Sequence, residues 1–305
     1  MFRTVLVPLD GSSLAERALP IALDIARRTA GAVHLVRAHS PLAIVGATGE
    51  GVLTQDMLEA DDLLRDRARQ YLEAVASRVG KEWGVTVHSH AEDGSPSGSI
   101  IEVADRIEAT LIVMTTHGAG GFAPAWLGSI TDAVIRHSHR PVLALPANDA
   151  HAGVPFTPRR ILVTLDGSAN SAEILNPARD LAVLFGAQLD LVRVVAPYVP
   201  GDVVTALTAD RPDPYGVDES AATAKKALDL AAGELQASGL VTHATVRVEL
   251  SPVRALTDHI KESDPDCIAL ATQGRGLSRF FLGSVADKLI RTGSRPVLVL
   301  RPAKR

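Results

Sequence analysis

The sequence predicts an α/β protein made of two tandem, doubly wound parallel sheets, and three observations carry that prediction. The first is an internal repeat. Thr4–Leu9 and Arg160–Leu165 are matching apolar runs, each followed by Asp-Gly-Ser, at Asp10 and at Asp166, 156 residues apart. The same offset carries Leu35-Val36-Arg37 onto Leu191-Val192-Arg193 and Gly118 onto Gly274. It then becomes 155, taking Gly128-Ser129 onto Gly283-Ser284 and Arg140–Leu143 onto Arg295–Leu298, so the second copy is one residue shorter between Gly274 and Gly283. So long a period means whole domains and not a solenoid of short units. The second observation is the alternation, within each copy, of short apolar runs with longer amphipathic stretches. That pattern is produced by strands whose right-handed crossovers place helices on both faces of one sheet. The third is bulk: 305 residues with 46% hydrophobic side chains provide two cores and exclude a disordered chain.

The elements follow in order. Copy one opens with a strand over Thr4–Leu9, and Ser12 or Ser13 caps the helix after Asp10. Pro20 falls inside that helix and predicts a kink, because proline removes one backbone bond. Further strands are expected at Val33–Ala38, Val85–His90, Thr110–Thr115 and Pro141–Leu145. Most are nearly continuous in Val, Leu and Ile, as in strands covered on both faces. Met57, Leu64, Ala68, Tyr71, Leu72, Val75 and Val79 form one helical stripe, repeated as Ala224, Leu228, Ala231 and Leu235. The charges Asp61, Asp62, Arg65, Asp66, Arg67 and Arg69 read as a solvated face of that helix. Two connections, His39–Gln55 and Ala196–Val217, exceed the ~12–15 residues beyond which loops in compact domains are usually functional or mobile. The expected domains are 1–147 and 159–305, joined by a linker at 148–158 that contains Pro155 and Pro158.

Composition removes several function classes. One cysteine excludes a disulfide framework and multi-cysteine metal sites, and it suits a reducing compartment, so a cytoplasmic location is the expectation. With 31 basic and 35 acidic side chains the net charge is −4, which offers no electrostatic footprint for nucleic acid or an anionic membrane. No run approaches the ~18 apolar residues of a membrane span, and Arg3 and Asp10 interrupt any signal-peptide core. The sequence holds no Gly-x-Ser-x-Gly elbow and no Gly-x-x-x-x-Gly-Lys-Ser/Thr loop. Gly118-Ala-Gly120 lacks the third glycine of a dinucleotide fingerprint and follows the fourth strand instead of the first. No carboxylate cluster stands beside it to drive fast phosphoryl transfer. His88 and His90 share a strand face and His137 and His139 follow a helix; all four read as surface histidines, with no acidic or cysteine partner at ligand spacing. Cys267 lies in an apolar strand and reads as a small core residue.

The chemistry gathers after strands one and four. In open parallel sheets ligands bind outside the carboxyl ends of strands where strand order reverses. Asp10 ends strand one, Thr115-Thr-His-Gly118 ends strand four, and Gly128-Ser129 opens the next helix nine residues later. Glycine lets backbone N–H groups approach an anion, and a helix start with a serine hydroxyl suits phosphate oxygens. Asp10 either caps the following helix or accepts hydrogen bonds from a nucleoside, and spacing favours the cap. Gly118, Gly120 and Gly121 read equally as a flexible turn or a phosphate cradle.

In Val5–Asp10-Gly-Ser, in His117-Gly118 through Gly128-Ser129, and in their equivalents Ile161–Asp166-Gly-Ser and Gly274 through Gly283-Ser284, the chain resembles the universal stress proteins in their tandem form. The resemblance covers nearly the whole chain, twice. It implies an adenine nucleotide alpha hydrolase-like, Rossmann-like fold with five parallel strands in the order 3-2-1-4-5. It also implies an internal pseudo-dimer paired through the fifth strands, with a homodimer as a further option.

The ATP-binding branch of that family carries Gly, two residues, Gly, nine residues, then Gly-Ser or Gly-Thr. The resemblance places adenine contacts at Asp10 and Ala38 and, in copy two, at Asp166 and Val194. Ribose contacts fall on Met114 and Thr115, or Leu270 and Ala271. Phosphate contacts fall on Gly118, Gly128, Ser129 and Ile130, or Gly274, Gly283, Ser284 and Val285, with Arg275 as an added basic group. Thr115 and Ala271 replace the first glycine, and copy two has only eight residues before Gly283. Copy one is therefore expected to be the better site for ATP, with or without Mg2+, because a deletion beside the phosphates reorients N–H donors. The implied activity is nucleotide-responsive binding that biases a surface read by protein partners. A slow ATPase or autokinase, and an interaction module without nucleotide, are the alternatives.

Overall fold

A computed structural model of the chain describes residues 1–40, 54–117, 127–146, 155–197, 217–272, 283–292 and 294–302. Gly118, Gly274, Arg275, most of the two long connections and residues 147–154 lie outside that set. The chain divides into two compact units, Met1–Phe156 and Thr157–Arg305.

Unit 1 runs β1 (Thr4–Pro8), α1 (Ser13–Glu16), α2 (Leu19–Thr29), β2 (Ala32–His39), α3 (Gln55–Trp83), β3 (Thr86–Asp93), α4 (Pro96–Arg106), β4 (Leu111–Thr115), α5 (Ser129–His137) and β5 (Val142–Leu145). Its strands pair in parallel in the order β3-β2-β1-β4-β5. Unit 2 repeats the series as β6 (Arg160–Leu165), α6 (Ala169–Ala172), α7 (Leu175–Phe185), β7 (Gln188–Val195), α8 (Val217–Ala237), β8 (Thr242–Val248), α9 (Pro252–Ser263), β9 (Cys267–Ala271), α10 (Ser284–Thr292) and β10 (Val297–Leu300). Its order is β8-β7-β6-β9-β10, again parallel. The 3-2-1-4-5 sheet therefore occurs twice, and strand order reverses between β1 and β4 and between β6 and β9.

The central strands explain why this topology is stable. Every residue of β4 is buried, and Leu111, Ile112 and Val113 are fully so. Burying each such side chain contributes about 1.5–3 kcal/mol, which is what a strand covered by helices on both faces can supply. Cys267 is likewise fully buried, as a small core residue, and burial pushes its thiol up to about 12.

Several local expectations are corrected. The helix after Asp10 is not one kinked helix but two. Ser12 caps the short α1, its Oγ accepting from the Ala15 N–H at 3.1 Å, and α2 restarts at Leu19. Pro20 thus sits in the first turn of α2, where its missing N–H would have had no helical partner. On α3, Ala68, Leu72, Val75 and Val79 are buried as the stripe requires, whereas Met57 and Leu64 are exposed. On α8 the buried position is Ala232, with Ala231 half-buried. Asp61 does not belong to the solvated charge face. It is buried, and its Oδ1 lies 2.9 Å from His39 Nε2 at the end of β2.

Candidate functional site

The carboxyl ends of β1, β2 and β4 in unit 1 enclose a cavity of about 180 Å³. Of the residues picked out by the sequence, Asp10, Ala38, Met114, Thr115 and Ile130 line it together. Gly128 and Ser129 stand at the adjoining start of α5. The corresponding positions of unit 2 occupy the same carboxyl edge. Asp166 follows β6, Val194 lies in β7, Leu270 and Ala271 end β9, and Ser284 and Val285 open α10 after Gly283.

Asp10 does not cap a helix itself. Its Oδ1 accepts from both the backbone N–H (2.8 Å) and the hydroxyl (2.6 Å) of Ser12, and Ser12 in turn caps α1. Asp166 and Ser168 repeat this with the same two distances. The intervening glycine is required in both copies, since Gly11 and Gly167 adopt φ of 91° and 84°. Each also lies beneath a guanidinium. A Cβ at Gly11 would come within 3.2 Å of Arg37, and one at Gly167 closer still to Arg193. The sequence marked Arg37 and Arg193 only as repeat anchors; their place over the Asp-Gly-Ser loop follows from the alternation of side chains along β2 and β7. In unit 1 the Arg37 guanidinium also stacks 5.1 Å from the Tyr71 ring centroid, and the Tyr71 hydroxyl donates to Glu16 Oε1 at 2.8 Å.

The start of α5 is built for close backbone approach. The Gly128 N–H donates to the Thr116 carbonyl at 2.8 Å, and a Cβ there would stand 2.9 Å from that oxygen. The first helical bond runs from Asp132 N–H to the Gly128 carbonyl, and no side chain caps the helix. The N–H groups of the first turn, with the exposed Ser129 hydroxyl beside them, therefore present the positive end of the helix at the cavity mouth. Unit 2 reproduces the latch, with Gly283 N–H donating to the Thr272 carbonyl at 3.0 Å and Asp287 N–H to the Gly283 carbonyl at 2.8 Å. The one-residue deletion therefore leaves the helix start attached to its strand as in unit 1. The expected reorientation of N–H donors falls on residues 273–282, which lie outside the described residues.

The cavity wall includes residues the sequence did not single out, notably Pro96, Ile100 and Thr131, together with His117 of the segment that ends strand four. Thr131 donates to the Thr115 carbonyl at 3.0 Å, and the Thr115 hydroxyl donates to the His117 carbonyl at 2.7 Å, so both threonines brace the end of β4. Their unit 2 counterparts, Ala286 and Ala271, lack the hydroxyls. Burial lowers the His117 pKa, which favours a neutral ring; Nδ1 lies 3.2 Å from the Thr116 hydroxyl. Its enclosed Nε2 has no hydrogen-bond partner among the described residues.

His88 and His90 are not a simple surface pair. They lie on β3 beside His34 of β2, with His34 Nδ1 2.9 Å from His90 Nε2 and the His34 ring stacked on both neighbours. Their common neighbour was hidden because cross-strand register is set by folding and not by sequence proximity. His137 and His139 are exposed, and no cluster of three metal-ligating side chains occurs among the described residues. No helix among those residues is long and apolar enough to cross a membrane.

A parallel sheet of reversing strand order, written twice, with an uncapped helix start at the mouth of its crevice, defines a tandem doubly wound α/β protein. The universal stress protein family profile matches residues 1–146 and again 157–301, and the chain belongs to that family. A universal stress protein of Mycolicibacterium smegmatis is 25% identical over 304 residues, covering 98% of this chain and 97% of that one. One from Methanocaldococcus jannaschii is 30% identical over 145 residues, covering 48% of this chain and 82% of its own length. The crystal structure of a universal stress protein from Archaeoglobus fulgidus superposes with a TM-score of 0.71 at 19% identity, covering 99% of this chain and 100% of that one.

Proposed function

We propose that unit 1 binds an adenine nucleotide, ATP in the first instance, and that the protein acts as a nucleotide-responsive regulatory protein in the cytoplasm. The observation that carries the reading is the juxtaposition of the β1/β2/β4 cavity with the uncapped start of α5. Apolar walls from Val36, Met114, Ile100 and Ile130 suit a base and ribose, and Asp10 and the β2 backbone near Ala38 offer polar contacts at their rim. The first-turn N–H groups and Ser129 suit phosphate oxygens, with Gly118 of the intervening loop as the remaining phosphate contact. Mg2+ would arrive on the phosphates. Unit 2 keeps Asp166, Val194, Gly283, Ser284 and Val285 in equivalent places and is proposed as a weaker site, with Leu270, Ala271, Gly274 and Arg275 completing it. The ligand acts by preferring one conformation of the crevice, which is the requirement for any population shift.

The test is to denature freshly purified protein, identify released nucleotide by chromatography and count it per chain. One adenine nucleotide per chain is expected, retained in Gly274→Val and lost in Gly118→Val; the reverse pattern overturns the ranking of the units. Protein that neither carries nor binds ATP overturns the reading itself. Incubation with γ-labelled ATP is expected to give neither free phosphate nor labelled protein, and either product would instead establish an ATPase or autokinase. The internal pseudo-dimer implied by the resemblance belongs to the same proposal. Light scattering is expected to give the 32.1 kDa mass of one chain, and twice that mass would establish a homodimer.

A further inference from the structure

Unit 2 repeats the three-histidine group of unit 1 only in part. By strand register His34, His88 and His90 correspond to Asp190, His243 and Thr245, so only one ring of the three remains. In unit 1 they tie β3, the outer strand, to β2. Register places His34 opposite His88 and Val36 opposite His90. Ring centroids of His34 and His88 are 4.7 Å apart and those of His34 and His90 are 5.2 Å apart, at interplanar angles of 29° and 16°. β2 and the helix that follows β3 shape the cavity: Val36 and Ala38 of β2 and Pro96 and Ile100 of α4 line it.

We propose that His34, His88 and His90 form an acid-sensitive clasp that fixes β3 and α4, and with them the wall of the unit 1 cavity, at neutral pH and releases them in acid. The chemistry follows from the hydrogen bond between His34 Nδ1 and His90 Nε2. With both rings neutral one nitrogen donates and the other accepts, and a single shared proton keeps that arrangement. A second proton makes both nitrogens donors, which ends the bond and sets two cations against one another in stacked rings. Facing groups do not offset this charge evenly. On β3, Glu92 favours a charged His90, but it is held in an ion pair by Arg106 of α4. Arg106 itself opposes protonation of His90, and Glu102, also on α4, acts on Arg106.

The sign of the pH effect is set by His34, which burial first and then His88 and His90 bring down to about 4 from 6.5. His90 is lowered as well, chiefly by burial. The open form thus takes up protons before the closed one does. Clasp stability is complete above about pH 6.5 and is lost as pH falls towards about 4. The separation allows on the order of a fiftyfold shift towards the open form near pH 4.5. Because the rings are only half-buried, at least about tenfold is expected.

Hydrogen exchange of the full chain at pH 7.5 and 4.5, corrected for intrinsic rates, tests the clasp without any ligand. Protection of residues 86–93 and 96–106 is expected to fall about tenfold in acid. In the double variant His88→Ala with His90→Val, which removes two of the three rings, the acid loss is expected to disappear. No acid loss in the wild-type chain, or an undiminished loss in the variant, overturns the proposal. If the variant fails to fold, the wild-type titration of His34 by NMR decides, with a midpoint at or above 6.5 overturning the clasp. The effect on affinity rests on the nucleotide reading. ATP binding in unit 1 is expected to weaken about tenfold between the two pH values, and a flat affinity with pH-sensitive exchange would separate the clasp from the site. A chain that binds no ATP at pH 7.5 refutes the nucleotide reading and leaves the exchange result to decide the clasp.

Discussion

The two units share a backbone plan and differ in what holds it. Both have the Asp-Gly-Ser turn under an arginine, and both attach a helix start to the end of the fourth strand through a glycine N–H. Unit 1 adds a polar frame around these parts. Tyr71 donates to Glu16, Arg78 pairs with Glu16 at 2.7 Å, and Thr131 donates to the Thr115 carbonyl. At the repeat offsets unit 2 has Ala172, Ala227, Glu234 and Ala286, so none of these contacts can form there. What duplication retained is the Asp-Gly-Ser turn with its arginine and the glycine attachment of the helix start. What diverged is the side-chain bracing of Glu16, Tyr71, Arg78 and Thr131, without which unit 2 keeps the same sheet.

That contrast can be broken or sharpened by experiment. The largest effect is expected from Cys267, which only unit 2 carries; Leu111 is its counterpart. A fully buried thiol held near 12 is labelled only through opening of its unit. Labelling by a thiol reagent in the folded chain is expected to be at least about a thousandfold slower than in denaturant. Rapid native labelling would show that unit 2 lacks a closed core. Next in size is the glycine latch. Gly128→Ala places a Cβ 2.9 Å from a carbonyl and is expected to cost about 2–3 kcal/mol, whereas Gly283→Ala, at 3.3 Å, is expected to cost about 1 kcal/mol. Equal shifts in urea midpoint would erase that distinction.

Tyr71→Phe removes the hydroxyl bonded to Glu16 and is expected to lower unit 1 stability by about 1 kcal/mol without slowing or hastening Cys267 labelling. A change in labelling rate would mean that the two units do not unfold independently. The smallest effect is expected from Thr131→Ala, which gives unit 1 the alanine of unit 2. It is expected to cost about 0.5–1 kcal/mol, together with a modest loss of ATP affinity read by calorimetry.

The duplicated sheet, the Ser12 cap, Asp10 and Thr115 were legible because each depends on local pattern or on a repeated motif, whereas Ala38, Met114 and Ile130 were placed in the crevice only by the family resemblance. What was not legible depends on partners distant in sequence. An aspartate in an amphipathic helix reads as exposed until His39 is brought against Asp61, and His88 and His90 read as surface until β2 supplies His34. Pro20 was misread for a different reason. A proline inside an amphipathic stretch can open a second helix as well as kink one, and Pro20 stands in the first turn of α2, where proline is favoured.

The glycine latches also bear on how such a chain can change. In each unit one backbone hydrogen bond pins both ends of the segment that follows the fourth strand, Thr116 to Gly128 in one and Thr272 to Gly283 in the other. With its ends fixed, a segment can lose a residue at an ideal-chain closure difference of about 0.1 kcal/mol, far below the stability of a domain. The latch behaves as a socket, and the segment between its terminals is a module. Exchanging 117–127 with 273–282 between the units should leave both sheets folded and carry ligand preference with the transplanted piece.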